Sequence, residues 1–289
     1  MRKTTIGVSR PLSAHTLASG WQEQLFFSYQ GLGRQANPAI RASYAPPQTL
    51  PPTHGTTGSD KTVMSGFEAV TLLMSGDLQI RDSTGQQNLL LPGDVLWQGA
   101  GRGMQTEQRL GPNLTEQGGT LSLLTLWINL PASCKQIDPH HQCLPKAQIP
   151  LMSLPDDAGT LRLIAGEWEG QLGPAETVTP LQLWDIHLAG EHQISLPIPR
   201  GWYCLLLVLS GQLRLDFWPT PVKGPQLAFL DASGDQVFLN VDTDTHLVLL
   251  SAAPLDEPIV GKDSLVMNTA EQLADVQAAW QQAAPPGMP

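Results

Sequence analysis

Charge is scarce in this chain. Asp, Glu, Lys and Arg make up 15% of the 289 residues, and acidic residues outnumber basic ones by 26 to 16, for a net charge of −10. A nucleic-acid surface needs clustered Lys and Arg to displace counterions, and no such cluster occurs, so direct nucleic-acid binding is not expected. An anionic membrane surface is disfavoured for the same reason. Cysteine is also scarce. Cys134, Cys143 and Cys204 are odd in number and form no CxxC, which argues against a disulfide framework and for a reducing compartment. The N-terminal run MRKTTIGVSRPLSAHTL lacks an apolar core, so no signal peptide is read. No stretch is long and apolar enough to span a bilayer as a helix. A cytoplasmic protein is expected.

Apolar residues (41%) are abundant, and 27 Gly and 25 Pro punctuate them along the whole chain. This is the grammar of many short strands joined by turns. FEAVTLLM (67–74) and LQIRD (78–82), separated by Ser75-Gly76-Asp77, read as a hairpin. LLLPGDVLW (89–97) predicts a turn at Pro92-Gly93-Asp94 that leads into another strand. LSLLTLWINL (121–130) predicts a long strand, buried on one face and polar on the other at its start.

The second half repeats the first. CLLLVLSGQLRLDFW (204–218) echoes AVTLLMSGDLQIRDS (69–83), with Gly211 aligned on Gly76. SGDQVFL (233–239) echoes PGDVLW (92–97), and the inserted residues fall in WPTPVKGPQ (218–226). An internal duplication with a lengthened loop accounts for this. Each half reads as a small antiparallel barrel, whose closure removes exposed strand edges. The expected fold is all-β: two tandem cupin barrels (a bicupin), with domains at 1–135 and 161–289 and a Pro-rich linker at 136–160. Helix is expected at NTAEQLADVQAAWQQAA (268–284). Thr269 and Gln272 would form a capping box, Leu273, Val276 and Trp280 one face, and Pro285-Pro286 the stop.

These runs resemble a known family. LPGDVLWQGAGRGMQTEQ (91–108) is similar to the pirin signature PGD-x-x-W-M-T-A-G-R-G-I-x-H-S-E, with matches at Pro92, Gly93, Asp94, Trp97, Ala100, Gly101, Arg102 and Gly103. SGFEAVTLLMSGDLQIRDSTG (65–85), LWINLPASCK (126–135), IAGEWEG (164–170), PIPRGW (197–202), PLDEPIV (254–260) and VMNT (266–269) extend the resemblance over nearly the whole chain. It implies a bicupin whose N-terminal barrel holds one iron or similar divalent ion between two His in P-H-P-H-R-G-F-E and a His plus a Glu in G-R-G-x-x-H-x-E. It also implies quercetin dioxygenase activity in some bacterial members, and association with transcription regulators in eukaryotes.

This sequence departs from that pattern at the ligands. Counting back from Gly66-Phe67-Glu68 places Thr62 and Met64 at the first pair. Counting forward from Ala100–Gly103 places Thr106 and Gln108 at the second. Residues at i and i+2 of a strand share a face. Two hydroxyls, a thioether and an amide supply neither an imidazole nor a carboxylate for a divalent ion. Glu107 is one residue off and points to the other face. The N-terminal site is therefore expected to be metal-free, with Fe(II) or another divalent ion as the alternative. His54, in the loop PPTHGTTGSDK, is the one imidazole that could fold back to rescue it.

The expected pocket comprises Thr62, Met64, Glu68, Trp97, Thr106 and Gln108, with Phe67 and Trp202 as further apolar surface or as core. Glu68 is read as a pocket acid or a hydrogen-bonded structural carboxylate, and His140-His141 as surface histidines. Arg102 is read as an anion ligand or a partner of Asp94 or Glu107. His187 is read as lining the second barrel, and no metal site is expected there. GAGRG (99–103) is a turn rather than a nucleotide loop, since no GxGxxG–helix context follows. Cys204 is core, Cys134 and Cys143 lack nucleophile partners, and no G-x-S-x-G elbow occurs. The expected activity is binding of a small aromatic molecule or a protein partner, and the alternative is a metal-dependent quercetin 2,3-dioxygenase-like oxidoreductase.

Overall fold

The computed structural model describes residues 1–54 and 58–283. The protein is mostly β, with two cupin domains and a short C-terminal helix. Among the described residues no helix is long and apolar enough to cross a membrane.

The chain forms two compact units that exchange their ends. One contains His15–Glu23, Ser28–Cys143 and the segment from Leu255 onward; the other contains Met1–Ala14, Gln24–Phe27 and Leu144–Pro254. A division at 1–135 and 161–289 leaves out this exchange. The stretch 136–160 carries the strands His140–Leu144 and Leu151–Ser153.

In the first unit, the strands Val95–Gly99, Phe67–Ser75, Gly119–Asn129 and Ala39–Leu50 lie side by side. A second sheet orders Asp60–Met64, Met104–Leu110, Leu78–Asp82 and Gln87–Leu90. The expected hairpin of 67–74 with 78–82 is not formed, because the two strands belong to different sheets. Ser75-Gly76-Asp77 makes a corner instead. Gly76 takes φ +86, which glycine adopts without steric cost. The Asp77 carboxylate accepts from the N–H groups of Asn113 (2.8 Å) and Leu114 (2.9 Å), capping a one-turn helix. The turn at Pro92-Gly93-Asp94 forms as expected, with Asp94 Oδ2 accepting from Leu91 N at 2.9 Å. The Gly119–Asn129 strand departs from its pattern: Ser122 is buried and donates to Ala45 O at 3.0 Å.

The repeat is visible in the backbone of the second unit. Gly211 takes φ +83 where Gly76 takes +86, and Gly234 and Gly93 are both left-handed. A nine-stranded sheet wraps a core that includes Trp184, Ile186, Leu188, Leu206, Leu247 and Leu249. Cys204 lies in this core, and burial pushes its thiol pKa up to about 12. Trp202 packs on this same core and belongs to this unit, not to the N-terminal cavity.

The C-terminal helix spans Ala270–Ala283. Its capping box is reciprocal: Gln272 N donates to Thr269 Oγ1 and Thr269 N donates to Gln272 Oε1, both at 3.2 Å. Val276 is buried, and Leu273 and Trp280 are half-buried beside it. The expected stop at Pro285-Pro286 lies outside the described residues.

The Gly-Arg-Gly block is scaffolding. Gly101 has φ +47, and a Cβ there would stand 2.2 Å from the Ile137 carbonyl oxygen. A Cβ on Gly103 would meet the Trp280 indole at 2.9 Å. Arg102 pairs with Asp138 (2.9 Å), rather than with Asp94 or Glu107, on an exposed edge. Gly101→Ala is expected to cost about 2–4 kcal/mol in urea unfolding, since backbone strain adds to a backbone clash. Gly85→Ala, at φ +89 with open space around it, is expected to cost only about 1–2 kcal/mol.

Candidate functional site

The N-terminal barrel holds a cavity of about 320 Å³. Its floor is a row across four strands. Trp127 pairs with Arg41 on one side and with Ala69 on the other, and Ala69 pairs with Gln98. All four residues line the cavity. The facing sheet contributes Thr62 directly opposite Thr106, and Asp60 opposite Gln108, with Met64 beside them. The four positions counted from the family pattern therefore do converge on one cavity. Gln98 bridges the two sheets: its amide nitrogen donates to Thr106 Oγ1 at 3.4 Å and lies 3.7 Å from Met104 Sδ.

Glu68 and Trp97 are buried but do not line the cavity. Each is one residue away from a lining residue, so the strand's two-residue period turns it to the other face. Glu107 behaves in the same way and pairs with Arg109 at 2.5 Å. Phe67 stacks on Trp127 (centroids 4.3 Å apart) and so supports the cavity wall. His54 is exposed and outside the cavity lining, with its N–H bound to Thr115 O at 2.9 Å.

Charged groups at the cavity were not apparent from the motifs. Glu23 Oε1 lies 3.3 Å from both His15 Nε2 and Arg41, and the Arg41 guanidinium sits 4.9 Å from the Trp127 ring centroid. Asp60 accepts from the N–H groups of Ala18 (2.8 Å) and Ser19 (3.0 Å) and from the Ser19 hydroxyl. Each of these groups is tied to a partner by strand pairing or loop closure, which short motifs do not encode.

The ion that the family resemblance implies does not fit this donor set. Thr62, Met64, Thr106 and Gln108 offer weak neutral donors. The Thr106 hydroxyl is engaged with Gln98 and with Arg81 O at 3.3 Å. Among the described residues, one group of three imidazole or carboxylate side chains is close enough to share an ion, and it lies elsewhere, at Asp185, His187 and His246.

Behind the floor of the cavity, His140 departs from the surface reading. Its ring covers Gly99, where a Cβ would stand 2.1 Å from Cε1. Its Nε2 is 3.6 Å from Glu68 Oε1, within ion-pair reach. The Glu68 carboxylate, with a smaller contribution from the Asp138 carbonyl, holds the imidazole pKa above its ordinary value against the opposing effect of burial. His140 is the charged partner that the buried Glu68 carboxylate faces among the described residues.

In the second unit, His187 lies on the face opposite Trp184, Ile186 and Leu188, so it does not line that barrel's interior. It stacks on His246, its cross-strand partner, with centroids 4.0 Å apart. Partial desolvation against the neighbouring strand, and then the charge of His246, lower its pKa although the side chain faces solvent. Burial would raise the pKa of Asp185, but the His246 hydrogen bond (2.6 Å) and the Arg162 charge outweigh it, and the carboxyl is held below the usual range.

Comparison with known proteins follows the same two-unit pattern. The pirin family profile matches residues 27–128, and the pirin C-terminal cupin profile matches residues 183–284. The chain is 36% identical over 271 residues to the Pseudomonas aeruginosa protein named "Putative quercetin 2,3-dioxygenase", covering 94% of both. It is 33% identical to human pirin over 214 residues, covering 72% of this chain and 71% of that one. A crystal structure of quercetin 2,3-dioxygenase from Acinetobacter baumannii superposes with a TM-score of 0.93 at 31% identity, covering 98% of each chain.

One buried cation in the first unit carries a measurable consequence. Lys135 Nζ donates to Gly66 O (2.8 Å), Asn129 Oδ1 (2.7 Å) and Val266 O (3.0 Å). Burial brings its pKa down to about 8. Below that pH the folded state carries the full cost of a buried charge. Between pH 8 and the unfolded value of 10.5, the unfolded chain binds more protons, so stability from this residue rises with pH. Lys135→Met removes the donor shared by three buried acceptors, of which Gly66 O keeps the Leu130 N–H at 3.3 Å, and unfolding titrations at pH 7 should show a loss of about 2–4 kcal/mol. The stability gap between wild type and variant should widen from pH 8 to 10.

Proposed function

The chain belongs to the pirin family of bicupin proteins, and from that premise we propose that its N-terminal barrel binds a small aromatic molecule without a metal ion, rather than catalysing an oxygenation. The observation that carries this reading is the donor set of the cavity: Thr62, Thr106 and Gln108 stand at three of the four ligand positions and Met64 at the other. The volume, about 320 Å³, is at the lower end of small-molecule sites. Trp127 offers a ring face, and Gln98, Arg41 and Thr125 offer polar contacts around it. A protein partner bound by the surface is a separate route to function. Direct nucleic-acid binding and membrane binding are not part of the proposal, because basic clusters are missing from the sequence.

The names of two relatives favour a second reading, a metal-dependent quercetin 2,3-dioxygenase-like oxidoreductase. It requires Fe(II) or a similar ion, because protein side chains alone do not perform one-electron chemistry. His54 is the family-independent imidazole nearest in sequence to Thr62, and its exposure speaks against a ligand role.

Thermal melting with quercetin as the probe separates the two readings. At ten times Kd, binding to the folded state stabilises by about 1.4 kcal/mol, a shift of about 3–6 °C for units of this size. The expected shift is the same in EDTA as in added Fe(II), and it is lost in Thr125→Phe, which fills the cavity. A shift that EDTA abolishes overturns the metal-free reading, and oxygen uptake with loss of quercetin on adding Fe(II) establishes the dioxygenase instead.

A further inference from the structure

We propose that Asp185, His187 and His246 form a binding site for one imidazole-preferring divalent cation, of the zinc or nickel class, on the C-terminal sheet. Asp185 and His187 are at i and i+2 of the strand Leu181–Leu188, and His246 is the direct cross-strand partner of His187 on Gln236–Ala252. Strand geometry therefore puts all three on one face, opposite the face that carries Trp184, Ile186, Leu247 and Leu249 into the core. One donor atom from each lies within 4.8 Å of the others. Ligands bonded to one such ion at about 2.0–2.2 Å lie within ~4 Å of each other, so loading the site requires the two stacked imidazoles to turn out of their parallel arrangement and point their nitrogens at one ion.

The surroundings suit a ligand rather than a packed polar cluster. His187 and His246 line an open depression together with Asp244, Ser210 and Thr160, which leaves room for water to complete the coordination. Arg162 holds Asp185 Oδ2 at 2.9 Å and leaves Oδ1 toward His246. An outer partner of this kind fixes the orientation of a ligating carboxylate. The ion takes the place of the hydrogen shared between His246 Nε2 and Asp185 Oδ1. Two imidazoles and one carboxylate select zinc or nickel over magnesium or calcium, which prefer all-oxygen shells. The positive charge of Arg162 beside the carboxylate weakens the site, so affinity in the micromolar range is expected, not the much tighter binding of a structural zinc site.

The test uses the full chain without a histidine tag, stripped with EDTA and then dialysed. Calorimetric titration with ZnCl₂ and NiCl₂ is expected to show one equivalent bound, with no heat from MgCl₂. His187→Gln should weaken zinc binding at least about tenfold. The His187 side chain is exposed, so this variant should keep the wild-type melting temperature in EDTA. His246→Gln should give the same loss. A Co²⁺-loaded sample should show the visible absorption of imidazole coordination, and this should disappear in His187→Gln. Absence of zinc binding overturns the site, and so does binding that His187→Gln leaves unchanged. An ion held instead in the N-terminal cavity produces that last result, and only the reading of that cavity is then reopened by the gain.

Discussion

Alternation along each strand decides the chemistry of both units. In the first, Ala69, Gln98, Trp127 and Arg41 form one row because their strands pair in that register. Their immediate neighbours Glu68 and Trp97 face the other way and are absent from the cavity lining. In the second, Asp185, His187 and His246 share a face because Trp184, Ile186 and Leu188 occupy the core face. A slip of one residue in any of these registers would exchange the polar and apolar sets, which makes the register costly to change.

The family blocks that stand out most in the sequence do scaffold work. Gly101 passes the Ile137 carbonyl, and Gly103 passes the Trp280 indole. Lys135, in the block LWINLPASCK, satisfies Gly66, Asn129 and Val266 with its three hydrogens. Gly99 leaves the notch that His140 fills. These contacts set the positions of the strands that carry the cavity without any of these groups lining it. A barrel can therefore keep the blocks and change the residues that face its interior.

The cavity's two sheets are joined through polar side chains. Neutral side chains stand at the four positions counted from the family pattern, and Gln98 spans from the large sheet to Thr106 on the small one. The buried Gln98 amide nitrogen finds an acceptor across the two sheets, whereas an unpaired imidazole or carboxylate there would carry a desolvation cost. Among the charged groups lining the cavity, Glu23 pairs with Arg41 and lies beside His15.

The all-β character, the duplication around Gly76 and Gly211, the capping box at Thr269 and Gln272, and the convergence of Thr62, Met64, Thr106 and Gln108 on one cavity were legible in the sequence alone. Each rests on local spacing, which the chain carries whatever its tertiary fold. Within a strand, counting two residues at a time from Gly66 or Ala100 is enough to put Thr62, Met64, Thr106 and Gln108 on one face. Tertiary structure alone decided which strands face each other. It turned the expected 67–74 hairpin into a corner, brought His140 to Glu68, joined His15 and Arg41 through Glu23, and set His187 against His246. Those pairs depend on long-range strand pairing, whose partners no local pattern specifies, and so the candidate cation site was invisible until the sheet was formed.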